Sequence, residues 1–217
     1  MLYKLTSTEE ELNLRLQALD QAGKGSRDRF LDALEEAYQG RDSSAVKNAY
    51  RFACELEYDH VGLTPEAYLA HPLRVAEMTL SFLQPATDDQ VIIALLHNVL
   101  EVGNCTSDNL SKNFGSDVSQ AIVNLTVDRE QQWDKEYKRG YYQTILEGPK
   151  AAIPVKAIDK FDNIFMLCLN PDEAIRKAYI EEIEEHILPM SQNFVPVIAE
   201  LFKAATEESK VKGHLIR

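Results

Sequence analysis

His97 and Glu101 stand four residues apart in the segment Ala94-Leu95-Leu96-His97-Asn98-Val99-Leu100-Glu101, a spacing that puts both on one face if the segment is a single helix. His71 lies upstream in Ala70-His71-Pro72, and Asp159 lies downstream in Lys156-Ala157-Ile158-Asp159. Two imidazoles, a carboxamide and two carboxylates form a donor set suited to a hard or borderline divalent ion. A carboxylate beside a held water is a hydrolase arrangement, with Glu101 as the group that orients the water or takes its proton. His97 follows three apolar residues in an apolar segment, where an imidazole needs a reason to be.

The elements that must position these residues are helical. Apolar residues recur at three and four along most of the chain, and no strand-like alternation is bounded by turns. A first helix carries Leu12, Leu16 and Leu19 and is entered through Ser7, with Glu10 three residues later. A second carries Phe30, Leu34 and Tyr38 and stops near Gly40; a third follows Ser43 or Ser44. Tyr58 to Tyr68 lacks periodicity and reads as a loop leading to His71. Thr87-Asp88-Asp89-Gln90 caps a helix apolar on nearly all sides, which marks it as the centre of a bundle. Phe114-Gly115-Ser116 reads as a helix stop and a new N-cap, and a polar stretch from Asp128 gives way to a helix near Trp133.

The apolar run from Ala151 to Leu169 places Asp159 inside a helix, where its charge requires a partner. Asn170-Pro171-Asp172-Glu173 reads as an N-cap with proline at the first helical position, and a last helix follows Ser191. The expected architecture is a compact all-α multi-helix bundle in one domain over 1–217. Within it, 1–42 is an N-terminal helical extension, 43–169 the core and 170–217 a C-terminal helical pair.

The chain has 217 residues, an apolar share of 45% and a formal charge of −12. That charge and the lack of a basic stripe argue against nucleic acid as a partner. No apolar run reaches the ~20 residues of a membrane span and no secretory leader is recognisable, so a cytoplasmic protein is expected, without a membrane partner. Three widely spaced cysteines without a C-x-x-C pair read as thiols of a reducing compartment. A small phosphorylated molecule or nucleotide remains a suitable partner, because Lys138, Arg139, Lys150, Lys156 and Lys160 lie in the middle of the chain. The same lysines also suit ordinary solvated helix faces, and homo-oligomerisation is left open.

Taken together, Tyr68-Leu69-Ala70-His71-Pro72-Leu73-Arg74, Ala94-Leu95-Leu96-His97-Asn98-Val99-Leu100-Glu101 and Val155-Lys156-Ala157-Ile158-Asp159-Lys160-Phe161-Asp162-Asn163 resemble the HD-domain metal-dependent phosphohydrolases. Their order and spacing are most similar to the alarmone hydrolase domain of the RelA/SpoT homologues and the small SpoT-like hydrolases. The resemblance implies an HD-type bundle, hydrolysis of a nucleotide or pyrophosphate ester such as (p)ppGpp, and a manganese-type ion held by His71, His97, Asp159 and the residue at 98. It also implies Glu101 as the catalytic carboxylate, Asn163 as a nucleotide contact, and Lys138-Arg139 after Glu136 as the charged start of a helix.

Three departures bear on these expectations. Asn98 stands where the family has aspartate, which leaves the site about one charge unit more positive and weakens expected metal binding. Val102 follows Glu101 where the family has a Glu-Asp pair. The segment Glu57 to Gly62 carries no Lys or Arg where the family holds the guanine nucleotide with basic residues. The alternative reading is therefore a catalytically degenerate HD domain that binds a nucleotide or a partner protein without hydrolysis.

Overall fold

The computed structural model describes residues 8–58 and 64–212; Ser7, His60 and most of the segment 57–62 thus lie outside the described residues. The described chain is a bundle of α-helices with a single isolated bridge, Tyr58 to Gly103, as its extended pairing. The helices are α1 (Glu9–Gly23), α2 (Ser26–Ala37), α3 (Ser44–Glu55), α4 (Pro65–Phe82), α5 (Asp88–Leu96), α6 (Val99–Val102) and α7 (Ser107–Phe114). They continue as α8 (Ser116–Leu125), α9 (Lys135–Glu147), α10 (Ala152–Leu167), α11 (Glu173–Glu182), α12 (Leu188–Phe194) and α13 (Pro196–Lys212). None is long and apolar enough to cross a membrane.

Helix α5 is the centre of the bundle, as its composition requires. Val91 to Leu96 are all buried, and α5 packs against α3, α4, α8 and α10. Its entry is a capping box in which Thr87 Oγ1 accepts from the Gln90 amide and the Gln90 side chain accepts from the Thr87 amide. Helix α10 is buried along its whole first half, from Ala152 to Asp162, and bridges α4 and α5 to α12 and α13. Residues 156, 159, 160 and 163 share one face of α10 by helical spacing, and that face meets the cavity described below.

Helix boundaries depart from the sequence pattern at six places, five of them away from the chemistry. The first cap is Thr8 with Glu11, one residue beyond the Ser7–Glu10 pairing; either serine or threonine sits three residues before a glutamate, and Thr8 makes both bonds. Helix α4 begins at Pro65 behind Thr64, so the loop ends three residues before Tyr68. Gly115, at φ +90, is itself the residue between α7 and α8, and Ser116 is already helical. Asp172, not Asn170, caps α11 through the Ile175 amide, and Asn170 Oδ1 accepts from the Asp172 amide instead. The C-terminal helix does not start after Ser191: α11 runs on through a π-helical turn, Ile183–Ile187, into α12, and α13 starts at Pro196. On α13, Ile198 and Phe202 are buried while Val197 and Leu201 face out.

The most consequential departure lies at His97. Helix α5 ends at Leu96, and the Glu101 amide donates to the Asn98 carbonyl in a short, separate α6. Gly103 closes that turn. A Cβ there would lie 2.7 Å from the Val99 carbonyl oxygen, so only glycine fits without displacement.

Candidate metal centre

Helices α4, α5 and α10 bring His71, His97 and Asp159 together although 88 residues separate His71 from Asp159 in sequence. His97 Nε2 lies 3.2 Å from His71 Nε2, His71 Nε2 lies 3.1 Å from Asp159 Oδ1, and His97 Nε2 lies 3.7 Å from the same oxygen. Donors that share one divalent ion at about 2.0–2.2 Å stand about 3 to 3.6 Å from one another, so this spacing fits an ion. Among the described residues, these are the His, Cys, Asp and Glu side chains whose ligand atoms cluster this way.

Both imidazoles are held with the same nitrogen turned inward. His97 Nδ1 bonds the Ala94 carbonyl at 2.8 Å, which requires a proton on Nδ1 and turns Nε2 toward the cluster. His71 Nδ1 lies 2.7 Å from Asp162 Oδ2, and Arg74 clamps that carboxylate with two bonds of 2.8 Å. Asp162 is 4% exposed, so the clamp sits in a region where its charge is little screened. Burial opposes a charged His71, but the carboxylates of Asp159 and Asp162 outweigh it and raise its pKa to about 9. An ion bound at His71 Nε2 would have to compete with a proton there.

Asp159 divides its two oxygens. Oδ2 accepts from Lys156 Nζ at 2.9 Å, while Oδ1 faces the histidines and accepts from Asn163 Nδ2 at 2.7 Å. Burial acts against its charge, but Lys156 and the two histidines overcome that and hold its pKa well below the usual carboxylate range. The partner that the interior charge required is therefore Lys156, one turn earlier on the same helix.

His71 and Asp159 line a cavity of about 370 Å³, with His97 buried behind them; its walls also include Asn98, Glu101, Asn163 and the buried lysines Lys138, Lys156 and Lys160. Lys138 and Lys160 both donate to Glu182 Oε1, at 2.9 and 3.0 Å, and the Tyr142 hydroxyl donates to the same oxygen. Burial disfavours the Glu182 charge, but the two ammonium groups dominate and bring its pKa to about 2. Burial and the neighbouring Lys160 lower Lys138 to about 8.

Glu101 lines this cavity but is not part of the three-donor cluster, because the helix break at His97 and Asn98 separates it from the histidine. Its carboxylate accepts from the Val127 amide at 3.1 Å and pairs with Arg129 at 2.5 Å. Asn98 lines the cavity next to Tyr68. Arg139 does not reach it: one residue from Lys138 on α9, it turns about 100° away and faces Glu185 at 3.9 Å with most of its side chain in solvent. Sequence reasoning did not find Asp162, Arg74, Glu182 or Arg129. The first two stood within the quoted motifs, whereas Glu182 and Arg129 carry no local signal.

No family model matches the chain. It is 28% identical over 170 residues to a guanosine-3′,5′-bis(diphosphate) 3′-pyrophosphohydrolase of Aquifex aeolicus, covering 76% of this chain and 24% of that protein. This chain thus spans about a quarter of that relative's length. A solved structure described as a metazoan ortholog of SpoT that hydrolyzes ppGpp superposes with a TM-score of 0.63 at 18% identity, over 79% of this chain and 98% of the other, a match of fold. Against the guanosine-3′,5′-bis(diphosphate) 3′-pyrophosphohydrolase MESH1 of Xenopus tropicalis, identity is 32% over 126 residues, 57% of this chain and 69% of MESH1. With the helical bundle and the His-His-Asp cluster in place, that coverage of a compact relative makes the chain a member of the HD-domain guanosine-3′,5′-bis(diphosphate) 3′-pyrophosphohydrolase family.

Proposed function

We propose that the chain is a divalent-metal-dependent pyrophosphohydrolase acting on guanosine 3′,5′-bis(diphosphate) or a closely related nucleotide. The observation that carries this reading is the convergence of two imidazole nitrogens and one carboxylate oxygen within 4.8 Å of one another, beside a cavity lined by buried lysines. His71, His97 and Asp159 would hold the ion, with the Asn98 amide as a further oxygen donor. Manganese suits imidazole and carboxylate donors without a thiolate. A divalent ion held there supplies Lewis acidity for attack by water on phosphorus.

The remaining roles belong to the chain's own groups. Glu101, anchored by the Val127 amide and Arg129, orients the attacking water and takes its proton. Asn163, Lys138 and Lys160 contact the substrate, the lysines offering charge to its phosphates. One water is consumed, the bond between the 3′ oxygen and phosphorus breaks, and guanosine 5′-diphosphate and pyrophosphate leave. A cytoplasmic setting suits such a substrate. The hydrolase relatives favour turnover over the binding-only reading.

Incubation of the protein and guanosine 3′,5′-bis(diphosphate) with manganese, followed by anion-exchange chromatography, should yield equal amounts of guanosine 5′-diphosphate and pyrophosphate. A chelator should stop the reaction. Intact nucleotide in both samples would refute turnover.

Asn98→Asp adds the second anionic donor and is expected to tighten manganese binding on the order of tenfold in a calorimetric titration. An unchanged dissociation constant would mean that position 98 does not ligate the ion.

A further inference from the structure

The cavity has a second source of positive charge, outside the motifs. Arg15 comes from α1, which packs against α4, and lines the cavity together with Leu19. The approach of the two helices is close: a Cβ on Gly23 of α1 would lie 2.8 Å from Ala70 Cβ, so α1 rests directly beside the residue preceding His71. Arg15 Nε is buried and has no hydrogen-bond partner among the described residues. Its guanidinium pKa is depressed by that burial. The other buried cations of the cavity already have carboxylate partners, Lys156 with Asp159 and Lys138 and Lys160 with Glu182.

A partly buried guanidinium whose Nε is withdrawn from water and unpaired is a receptor for an anion, and its planar fork matches phosphate. The segment before α4, from Glu57 to Gly62, contains no lysine or arginine. The geometry points to Arg15 as a substrate-binding residue that receives one phosphorylated arm of a nucleotide carrying two such arms, while the lysines of α9 and α10 receive the other. This assignment rests on the proposed pyrophosphohydrolase reading and adds selectivity to it: a nucleotide with phosphates on both the 3′ and 5′ sides engages both cation groups, and a single pyrophosphate needs only the lysines. The N-terminal extension thereby becomes part of the substrate site.

Calorimetric binding of guanosine 3′,5′-bis(diphosphate) and of inorganic pyrophosphate, with a chelator present to prevent turnover, tests this on the wild type, Arg15→Ala and Arg15→Lys. Arg15→Ala should weaken the nucleotide about ten- to a hundredfold and leave pyrophosphate within about twofold, the loss of a charge-assisted fork. Arg15→Lys should recover part of the loss. Manganese affinity and the circular-dichroism melting curve should match the wild type, which separates the effect from misfolding. Nucleotide affinity within twofold of wild type in Arg15→Ala would overturn the assignment while leaving the hydrolase reading standing. An equal loss for both ligands would overturn the two-arm division, and a wild type that binds neither would overturn the hydrolase reading with it.

Discussion

Asp159→Asn is expected to abolish metal binding and to destabilise the fold at the same time. The carboxylate is 4% exposed and meets Lys156, Asn163, His71 and His97. Without its charge, Lys156, 5% exposed, keeps an ammonium with no anion, a change that costs about 3–5 kcal/mol when one partner of a buried pair is removed. The metal cluster loses its one anionic donor in the same step. The two effects separate in Asp159→Asn with Lys156→Met: urea denaturation should show most of the stability restored, while manganese binding stays absent. An Asp159→Asn protein as stable as the wild type would contradict the pairing.

The second large effect is expected for Glu182→Gln. Its carboxylate is the shared acceptor of Lys138, Lys160 and Tyr142, and all three lie in the interior. An amide cannot neutralise two ammonium groups, so a loss of about 3–5 kcal/mol follows, measured by chemical denaturation. The acid dependence should change as well. In the wild type the Glu182 pKa falls from its ordinary 4.5 to about 2, so its contribution is complete above pH 4.5 and is lost as pH falls from there through 2. The variant lacks that part of the acid loss. Retention of the full wild-type acid limb would show that other carboxylates account for it.

The sequence made the frame of the site legible because metal-type donors in apolar helices are out of place unless paired. His97 after three apolar residues and Asp159 within an apolar run each announced a partner, and His71, Lys156 and Asn163 supplied it. The helix break at His97 was hidden for a related reason: Val99 and Leu100 continue the apolar pattern, and the sign of the turn is Gly103, whose need for glycine is set by the Val99 carbonyl rather than by any local pattern. Lys138 and Arg139 looked equivalent as a charge pair, yet adjacent helical positions diverge by about 100°, and only Lys138 turns inward. Glu182 and Arg15 were invisible because their roles exist only after α11 and α1 have packed against the core. Periodicity reports which face is buried, not what lies across from it.

His71, His97 and Asp159 are proposed to hold one divalent ion. Titration of chelator-treated protein with manganese, followed by electron paramagnetic resonance of the free ion, measures that site itself, with His97→Ala alongside. One ion is expected per wild-type chain and none in His97→Ala, with the same helical circular-dichroism spectrum for both. A wild-type chain that leaves all the manganese free, or a His97→Ala protein that binds it equally well, would contradict that proposal.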